Sequence, residues 1–149
     1  MVVYFGADHR GFKLKETLKD FLRNEGYEVA DLGAAIYEQG DDYPDFAAAV
    51  AKKVGLEQEV DRGILICGSG VGVDIVANKF LGVRAALAIS ADQIYNARHD
   101  DDVNVLCLAS DFISEEDAKK IIGVFMATPF GAEERHKRRL GKISEIENR

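Results

Sequence analysis

A cysteine followed by closely spaced glycines is the part of the sequence best suited to chemistry. Residues 63–72 are Gly-Ile-Leu-Ile-Cys-Gly-Ser-Gly-Val-Gly, and the apolar run before the cysteine predicts a short buried strand. Glycines 68, 70 and 72 allow a sharp turn and a close approach of the backbone to a ligand. The apolar residues that follow favour a helix. A strand, a glycine turn and a helix in this order direct backbone N–H groups towards an anion, so we expect an anion-binding turn, with a merely tight turn as the alternative.

The cysteine in this stretch, Cys67, has two interpretations. A thiol near a helix N-terminus is stabilised as the thiolate and can act as a base or nucleophile near neutral pH. Alternatively, Cys67 is a small buried hydrophobic residue.

The spacing of the glycine turn excludes three known motifs. It is not a Walker loop, because no Lys-Ser/Thr pair follows, and it is not G-x-G-x-x-G, because the third glycine comes one residue early. It is not a G-x-S-x-G elbow either, because Cys67 and Val71 occupy the two glycine positions around Ser69.

Asp8 and His9 form a second candidate site, because they lie at the carboxyl end of the first predicted strand, residues 2–5, after Gly6 and Ala7. Open α/β sheets bind their ligands at the carboxyl ends of strands. Asp8 could instead cap the helix that follows. His9 has no obvious structural role in the sequence, which makes it the stronger functional candidate.

Two charged clusters lie further along the chain. Residues 98–102, Arg-His-Asp-Asp-Asp, precede the last predicted strand, and a run of this kind is typical of a solvated loop. Residues 135–139, Arg-His-Lys-Arg-Arg, stand out in an otherwise acidic chain. Arg135 and Arg139 are four residues apart and so share one face of a predicted helix. Two guanidinium groups on one face suit a phosphate, and a solvated basic face is the alternative.

Length and composition indicate one domain that spans residues 1–149. The net charge of −7 argues against nucleic-acid and membrane partners. Cys67 and Cys107 lie in apolar runs and form no C-x-x-C pair, which predicts reduced thiols in a cytoplasmic protein and no zinc site. The sequence begins without a signal-like segment, and no apolar run is long enough to span a membrane.

Strand and helix patterns alternate along the whole chain. The predicted strands are residues 2–5, 27–31, 64–66, 83–89 and 103–108. The helices between them carry apolar residues at helical spacing, for example Leu14, Leu18 and Leu22 in the first. This alternation predicts an α/β fold whose parallel sheet is covered by helices on both faces. A further helix from about residue 133 follows the last strand–helix unit and could extend onto a second subunit.

Several motifs together resemble a known family. They are Gly-Ala-Asp-His-Arg-Gly-Phe-Lys-Leu-Lys at 6–15, Asp-Tyr-Pro-Asp at 42–45, the glycine turn at 63–72, Ala-Asn-Lys at 77–79, Gly-Val-Arg-Ala-Ala at 82–86, Asn-Val-Leu at 104–106 and Arg-His at 135–136. In this order, and over nearly the whole chain, they resemble type B ribose-5-phosphate isomerases and their relatives, including the galactose-6-phosphate isomerase subunits.

The resemblance implies a three-layer Rossmann-like fold with a five-stranded parallel sheet and an additional C-terminal helix. It further implies a homodimer, with a tetramer as the alternative, and active sites at the subunit interface. The implied reaction is aldose–ketose isomerisation of a sugar phosphate through an enediolate, with no metal and no cofactor.

The resemblance also assigns roles to single residues. Cys67 would be the base that moves a proton between C1 and C2, and Ser69, where the family commonly has Thr, would assist proton movement at the sugar oxygens. Backbone N–H groups would form the anion hole, from Gly68, Ser69, Gly70, Val71 and Gly72. The sugar site would be lined by Asp8, His9 and Tyr43. The phosphate would be held by Arg135, His136 and Arg139.

The sequence departs from the family at two places. The family usually has His-Asn-Asp-x-Asn before the fifth strand, and here Asp100 and Asp101 occupy the positions of the ring-opening His and of the Asn in the anion hole. His99 lies one residue early, so either His99 or another group such as His9 would open the sugar ring. The family often has a phosphate-binding Arg shortly after the fifth strand, where Asp111 stands in this chain.

The leading hypothesis is therefore an isomerase of ribose 5-phosphate and ribulose 5-phosphate. A second hypothesis keeps the chemistry and changes the sugar, for example to galactose 6-phosphate and tagatose 6-phosphate or to allose 6-phosphate. A third belongs to another class: a flavodoxin-like or receiver-like binding module that uses Asp41, Asp42 and the glycine turn. That module would bind a flavin or undergo Mg²⁺-dependent phosphorylation.

Overall fold

Five strands and six helices alternate along the chain in a computed structural model that describes residues 1–149. The strands are β1 (Val2–Ala7), β2 (Glu28–Asp31), β3 (Arg62–Cys67), β4 (Ala85–Leu87) and β5 (Val105–Ala109). The helices are α1 (Phe12–Asn24), α2 (Tyr43–Leu56), α3 (Val71–Ala77), α4 (Ala91–Asp101), α5 (Glu115–Ala127) and α6 (Glu134–Glu147).

All strand pairs in the sheet are parallel, and the strand order is β2-β1-β3-β5-β4. The central strand, β3, pairs with β1 on one side and β5 on the other, with Ala7 opposite Ile66 and Cys67 opposite Ala109. The carboxyl ends of β1, β3 and β5 therefore meet at one edge of the sheet. That edge is where the predicted Asp8 and Cys67 sites both lie.

Each face of the sheet is covered by its own hydrophobic core, so the molecule has three layers. One core joins Ile64 and Ile66 of β3 to apolar side chains of α1, α4 and α5. The other joins Leu65 and Cys67 to side chains of α2 and α3. Alternate residues of β3 serve opposite faces because successive side chains in a strand point to opposite sides. The predicted α/β class with a five-stranded parallel sheet is confirmed.

The charged run at 98–102 differs from the solvated loop predicted for it. Residues 98–101 form the last turn of α4, and the side chain of Arg98 is only 2% exposed. Its guanidinium donates hydrogen bonds to the carbonyl oxygens of Val103 (2.7 Å) and Thr128 (3.2 Å) and to the Asp102 carboxylate (2.8 Å). These acceptors hold the Arg98 side chain inside the protein, so residues 98–101 continue the helix instead of forming a solvated loop.

Every strand differs from its predicted range by at least one residue, as β4 and β5 illustrate. The fourth strand spans Ala85–Leu87 rather than 83–89, and the fifth spans Val105–Ala109 rather than 103–108. Asn104 explains part of the difference, because its side chain accepts a hydrogen bond from the Arg84 N–H (2.8 Å) and donates one to the Gly82 carbonyl (2.8 Å). These side-chain bonds bridge the segments that lead into β4 and β5.

The last helix, α6, begins one residue after the predicted start. Along its apolar stripe Leu140 is half-buried, whereas Ile143 and Ile146 are exposed. The helix contacts α4 in its own chain, and the Glu147 carboxylate accepts a hydrogen bond from the Gly82 N–H (3.2 Å). None of the helices is long and apolar enough to cross a membrane.

Candidate active site

The glycine turn places the Cys67 thiol beside backbone donors. Cys67 is the last residue of β3 and is 4% exposed. Gly70 follows in a left-handed conformation, with φ of 72°, and its N–H donates a hydrogen bond to Cys67 Sγ (3.2 Å). The Val71 N–H donates to the Ser69 hydroxyl (3.3 Å). The predicted order of strand, glycine turn and helix is present, and the N–H groups of Gly70 and Val71 are hydrogen-bonded within the turn itself.

The thiol faces a cavity of about 280 Å³. The cavity is lined by Asp8, Arg10, Tyr43, Cys67, Gly68, Ser69, Val71, Gly72 and Ile75. Most of the predicted catalytic and sugar-binding residues of the turn therefore share one space with Asp8 and Tyr43. Gly70 instead serves packing, because a Cβ there would lie 2.5 Å from Leu87 and 3.0 Å from the Leu108 backbone. Its lack of a side chain lets the turn pack on β5.

Two side chains rest directly on glycines of the turn and form walls of the cavity. A Cβ at Gly72 would lie 2.5 Å from Cζ of Tyr43, and a Cβ at Gly68 would lie 2.4 Å from Cζ of Arg10. Any larger residue at either glycine would displace the side chain above it. The glycines thus allow a phenol and a guanidinium to approach the turn.

The N-cap of α1 is Gly11, with no side-chain cap hydrogen bond, so helix capping is not the role of Asp8. Its buried carboxylate accepts hydrogen bonds from the N–H groups of Arg10 (3.0 Å) and Gly11 (3.1 Å). These bonds fix the turn between β1 and α1 while the residue also lines the cavity.

His9 differs from its sequence interpretation, because it does have a structural partner. Its Nδ1 lies 2.8 Å from Asp41 Oδ1, and its backbone N–H donates to the same oxygen (2.8 Å). His9 is not among the residues that line the Cys67 cavity. The loop before α2 thus holds the imidazole beside the cavity wall rather than over the thiol.

An ion pair between Arg10 and Asp111 was not predicted from the sequence. Arg10 Nη2 donates to the Asp111 carboxylate, although the two residues are 101 positions apart. The Asp111 N–H donates to the Gly68 carbonyl (3.0 Å), and the Ser110 N–H donates to the Cys67 carbonyl (2.9 Å). The reversed charge at position 111 was the only sequence signal of this pairing.

Three polar residues that the sequence placed in two separate clusters come together in the structure. His99 Nδ1 lies 2.7 Å from Asp100 Oδ1, and Nε2 of the buried His136 lies 3.5 Å from the same oxygen. Tyr95 stacks on the His99 ring with centroids 5.7 Å apart. The hydrogen bond from His99, aided by the charge of His136, lowers the pKa of Asp100. The Asp100 carboxylate is therefore held ionised between two imidazoles.

This histidine cluster is separate from the Cys67 cavity of the same chain. None of the predicted residues from α4 and α6 lines that cavity. Arg135 forms an ion pair with Glu133 (2.9 Å), and Arg139 is exposed. Asp101 lines a different cavity, beside Ile143 and Ile146. The predicted site residues thus fall into two separate groups within one chain.

Comparison with known proteins decides the family. The family model described as Ribose/Galactose Isomerase matches residues 3–143. The chain belongs to the ribose/galactose isomerase family. The resemblance of the sequence motifs is thereby confirmed, and the interpretation as an isomerase is favoured over a flavodoxin-like or receiver-like module.

Individual members of the family are similar over nearly their full length. The chain is 43% identical over 145 residues to the probable ribose-5-phosphate isomerase B of Mycoplasma genitalium, covering 97% of this chain and 95% of the relative. It is 40% identical over 147 residues to ribose-5-phosphate isomerase B of Escherichia coli, covering 99% and 97%.

Solved structures give the same result. The crystal structure of the Mycoplasma genitalium enzyme with bound ribulose-5-phosphate matches with a TM-score of 0.96 and 42% identity, covering 99% of this chain and 96% of that chain. The Clostridium thermocellum ribose-5-phosphate isomerase B matches with a TM-score of 0.93 and 40% identity, covering 99% and 98%.

The fold also brings together two groups of side chains that could bind a metal ion, which the spacing of these residues in the sequence did not indicate. The ligand atoms of His99, Asp100 and His136 lie within 4.8 Å of one another, as do those of Asp8, His9 and Asp41. In each set a carboxylate already accepts a hydrogen bond from an imidazole or a backbone N–H. Each set also keeps one buried atom without a hydrogen-bond partner, His136 Nδ1 in the first and Asp41 Oδ2 in the second.

Proposed function

We propose that this protein interconverts ribose 5-phosphate and ribulose 5-phosphate through an enediolate, with Cys67 as the base and residues 1–149 as one isomerase domain. The observation that carries the proposal is the position of the Cys67 thiol, which faces a cavity bounded by the glycine turn. The bound ribulose-5-phosphate in the Mycoplasma genitalium relative supports the choice of sugar.

The chemistry requires one proton to move between neighbouring carbons. The Cys67 thiolate removes the proton from C2 of the open-chain aldose, and the electron pair forms the C1–C2 double bond while charge develops on the aldehyde oxygen. Backbone N–H groups of residues 68–72 stabilise that oxyanion, an effect worth ~3 kcal/mol per donor. The thiol then returns the proton to C1, and the Ser69 hydroxyl shuttles a proton between O1 and O2. Electrons stay within the substrate, so no redox partner is needed.

His99 is the better candidate for opening the sugar ring. Its Nδ1 is engaged by Asp100, which leaves Nε2 free to exchange a proton with the ring oxygen. His9 is a weaker candidate, since its Nδ1 is bound by Asp41 and its side chain does not line the cavity. The shifted His-Asp-Asp-Asp sequence thus places an imidazole and its orienting carboxylate on the last turn of α4.

The proposed enzyme is a homodimer in which the two subunits share each site, because His99 lies outside the cavity of its own chain. Large apolar side chains surround the cavity mouth and are exposed: Val71 and Ile75 on α3, and, next to Ser69, Ile89 at 79% and Phe112 at 82%. A second copy would cover this surface and bring its own His99 to the cavity. It would also bring Arg135, His136 and Arg139 towards the phosphate.

The proposal includes no metal, no cofactor and no nucleic-acid or membrane partner. We place the activity in the cytoplasm, which suits a chain that keeps two free cysteines, Cys67 and Cys107.

The deciding experiment is an isomerase assay on a panel of aldose phosphates. We expect ketose formation with the highest kcat/KM for ribose 5-phosphate. A higher kcat/KM for galactose 6-phosphate or allose 6-phosphate would support the same isomerisation reaction with a different sugar phosphate as the substrate. Absence of ketose formation with all three, together with a flavin absorption spectrum in the purified protein, would instead favour a binding module.

A further inference from the structure

Arg10 is the one cationic side chain among the residues that line the Cys67 cavity. The protein as a whole carries a net charge of −7, which opposes the approach of a dianionic sugar phosphate. We propose that Arg10 binds the phosphate group of the substrate from the same chain that supplies Cys67. This inference rests on the proposed isomerase function and adds a specificity residue to it.

The main chain of Arg10 is fixed on both sides. Its N–H donates to Asp8 Oδ1 (3.0 Å), and its carbonyl accepts a hydrogen bond from the Ser110 hydroxyl (2.9 Å). The same hydroxyl lies 3.2 Å from the Cys67 carbonyl. Arg10 is therefore tied to the ends of β1, β3 and β5 at once, and its side chain starts from a rigid base.

The guanidinium has a fixed direction and retains free donors. It lies on the Gly68 backbone, where a Cβ would be 2.4 Å from Arg10 Cζ. Nη2 is engaged by the Asp111 carboxylate, whereas Nε and Nη1 have no acceptor within the chain. A guanidinium presents five N–H donors in a planar fork that suits phosphate oxygens. Asp111 thus orients the fork and leaves part of it available.

Arg10 also separates the reacting end of the substrate from its charged end. Besides the Cys67 cavity, it lines a second cavity of about 190 Å³ together with Lys13, Thr17 and Ser110. A sugar with its C1–C2 bond at Cys67 would direct its phosphate past Arg10 towards this second cavity. Lys13 adds a second positive charge there. Glu115 adds one negative charge, but its carboxylate is paired with Lys119 (3.0 Å), so the lining remains net positive and favours a dianion.

The neighbouring carboxylates do not cancel this role. Asp8 is buried, and its Oδ1 already accepts two backbone N–H groups, so that oxygen is directed at the main chain rather than at the guanidinium. The Arg10 and Asp111 side chains are 55% and 37% exposed, so their mutual attraction is screened by water. A phosphate dianion can therefore compete for the fork.

The test compares Arg10→Ala and Arg10→Lys with Arg23→Ala. Arg23 is a matched control, because it is a similarly exposed arginine on α1 that pairs with Asp20, away from the Cys67 cavity. We expect Arg10→Ala to raise KM for ribose 5-phosphate about ten- to a hundredfold, with a smaller effect on kcat. Arg10→Lys should show an intermediate KM, and Arg23→Ala should match the unmodified protein.

Binding of inorganic phosphate provides a second measurement that does not depend on turnover. Isothermal titration calorimetry should show a Kd for phosphate that rises in Arg10→Ala and not in Arg23→Ala. If ribose 5-phosphate is not isomerised by the unmodified protein, the proposed function fails while the calorimetric comparison still tests Arg10. An unchanged Kd in a folded Arg10→Ala variant, or an unchanged KM in an active one, would overturn the inference.

Discussion

The Gly70 N–H and the Cys67 sulfur are joined by a hydrogen bond of 3.2 Å that closes the glycine turn on the thiol. Gly70 reaches this position only through a positive φ, and its packing on Leu87 and Leu108 leaves no room for a side chain. The donor is therefore held in place before any substrate arrives. A thiolate formed at Cys67 would meet a preorganised N–H and require no rearrangement of the turn.

Replacing Cys67 should abolish isomerisation without unfolding the protein. Cys67→Ala removes the base, and Cys67→Ser should be nearly as inactive because a hydroxyl is a far weaker base than a thiolate. The measurement is kcat for ribose 5-phosphate, with circular dichroism as the check on folding. Normal turnover in either variant would contradict the assignment of Cys67 as the base.

Cys107 supplies the matched control for this experiment. It lies on β5 in the same core as Cys67 and is fully buried. Burial, together with the nearby Asp74 carboxylate, raises the pKa of the Cys107 thiol well above its ordinary value, so it stays protonated. Cys107→Ala should therefore retain turnover, and an inactive but folded Cys107→Ala protein would contradict the division of roles between the two thiols.

The sequence predicted those parts of the site that are formed by residues close to one another along the chain. The strand, glycine turn and helix around Cys67 follow from local periodicity and from three glycines, so their order was predictable. The ion pair of Arg10 with Asp111 and the contact of His99 with His136 were not, because each joins segments far apart in sequence. The burial of Arg98 was also missed. Two of its acceptors, Asp102 and Val103, are close in sequence, but the third, the Thr128 carbonyl, is 30 residues away.

A buried lysine makes Asp31 important for stability. Lys15 is fully buried on α1, and its ammonium donates to both carboxylate oxygens of Asp31 on β2, at 2.8 and 3.0 Å. Asp31→Asn leaves that ammonium with only the more distant Glu16 carboxylate (3.7 Å) as a charge partner and should lower the free energy of unfolding by roughly 3 kcal/mol. Denaturant unfolding measures the loss. Asp20→Asn is the control, because its pair with Arg23 is exposed and should contribute less than about 1 kcal/mol.

The contribution of Asp31 should also depend on pH. Burial works against its ionisation, but the hydrogen bonds from Lys15 and Lys19 outweigh this effect and lower the pKa of Asp31. The ionised form is thus favoured in the folded state, and its stabilisation is complete above the unfolded pKa of about 4. The difference between the unmodified protein and Asp31→Asn should stay constant from pH 7 to about 5 and shrink as the pH falls below about 4. A difference independent of pH down to about 3 would contradict the ion-pair explanation.

Activity should survive removal of divalent metal ions. The glycine turn offers backbone donors to the enediolate, so the proposed mechanism assigns no step to a metal ion. We expect dialysis against a chelator to leave kcat and KM for ribose 5-phosphate unchanged. A loss of activity that a divalent ion restores would refute this, and repeating the dialysis with Asp41→Asn and Asp100→Asn would identify which of the two sets of potential metal ligands is involved.

The last prediction tests whether two chains build one site. Cys67 faces the cavity of its own chain, whereas His99 lies in the separate cluster with Asp100, so we expect each site to combine Cys67 from one chain with His99 from the other. Cys67→Ala and His99→Asn should each be inactive alone. Mixed by unfolding and refolding together, they should recover about a quarter of the unmodified activity, because half of the randomly paired dimers are mixed and each carries one intact site. A mixture of Cys67→Ala with Cys67→Ser, which lacks the base in every chain, should recover nothing. No recovery in dimers verified to be mixed would show that each site is built within one chain.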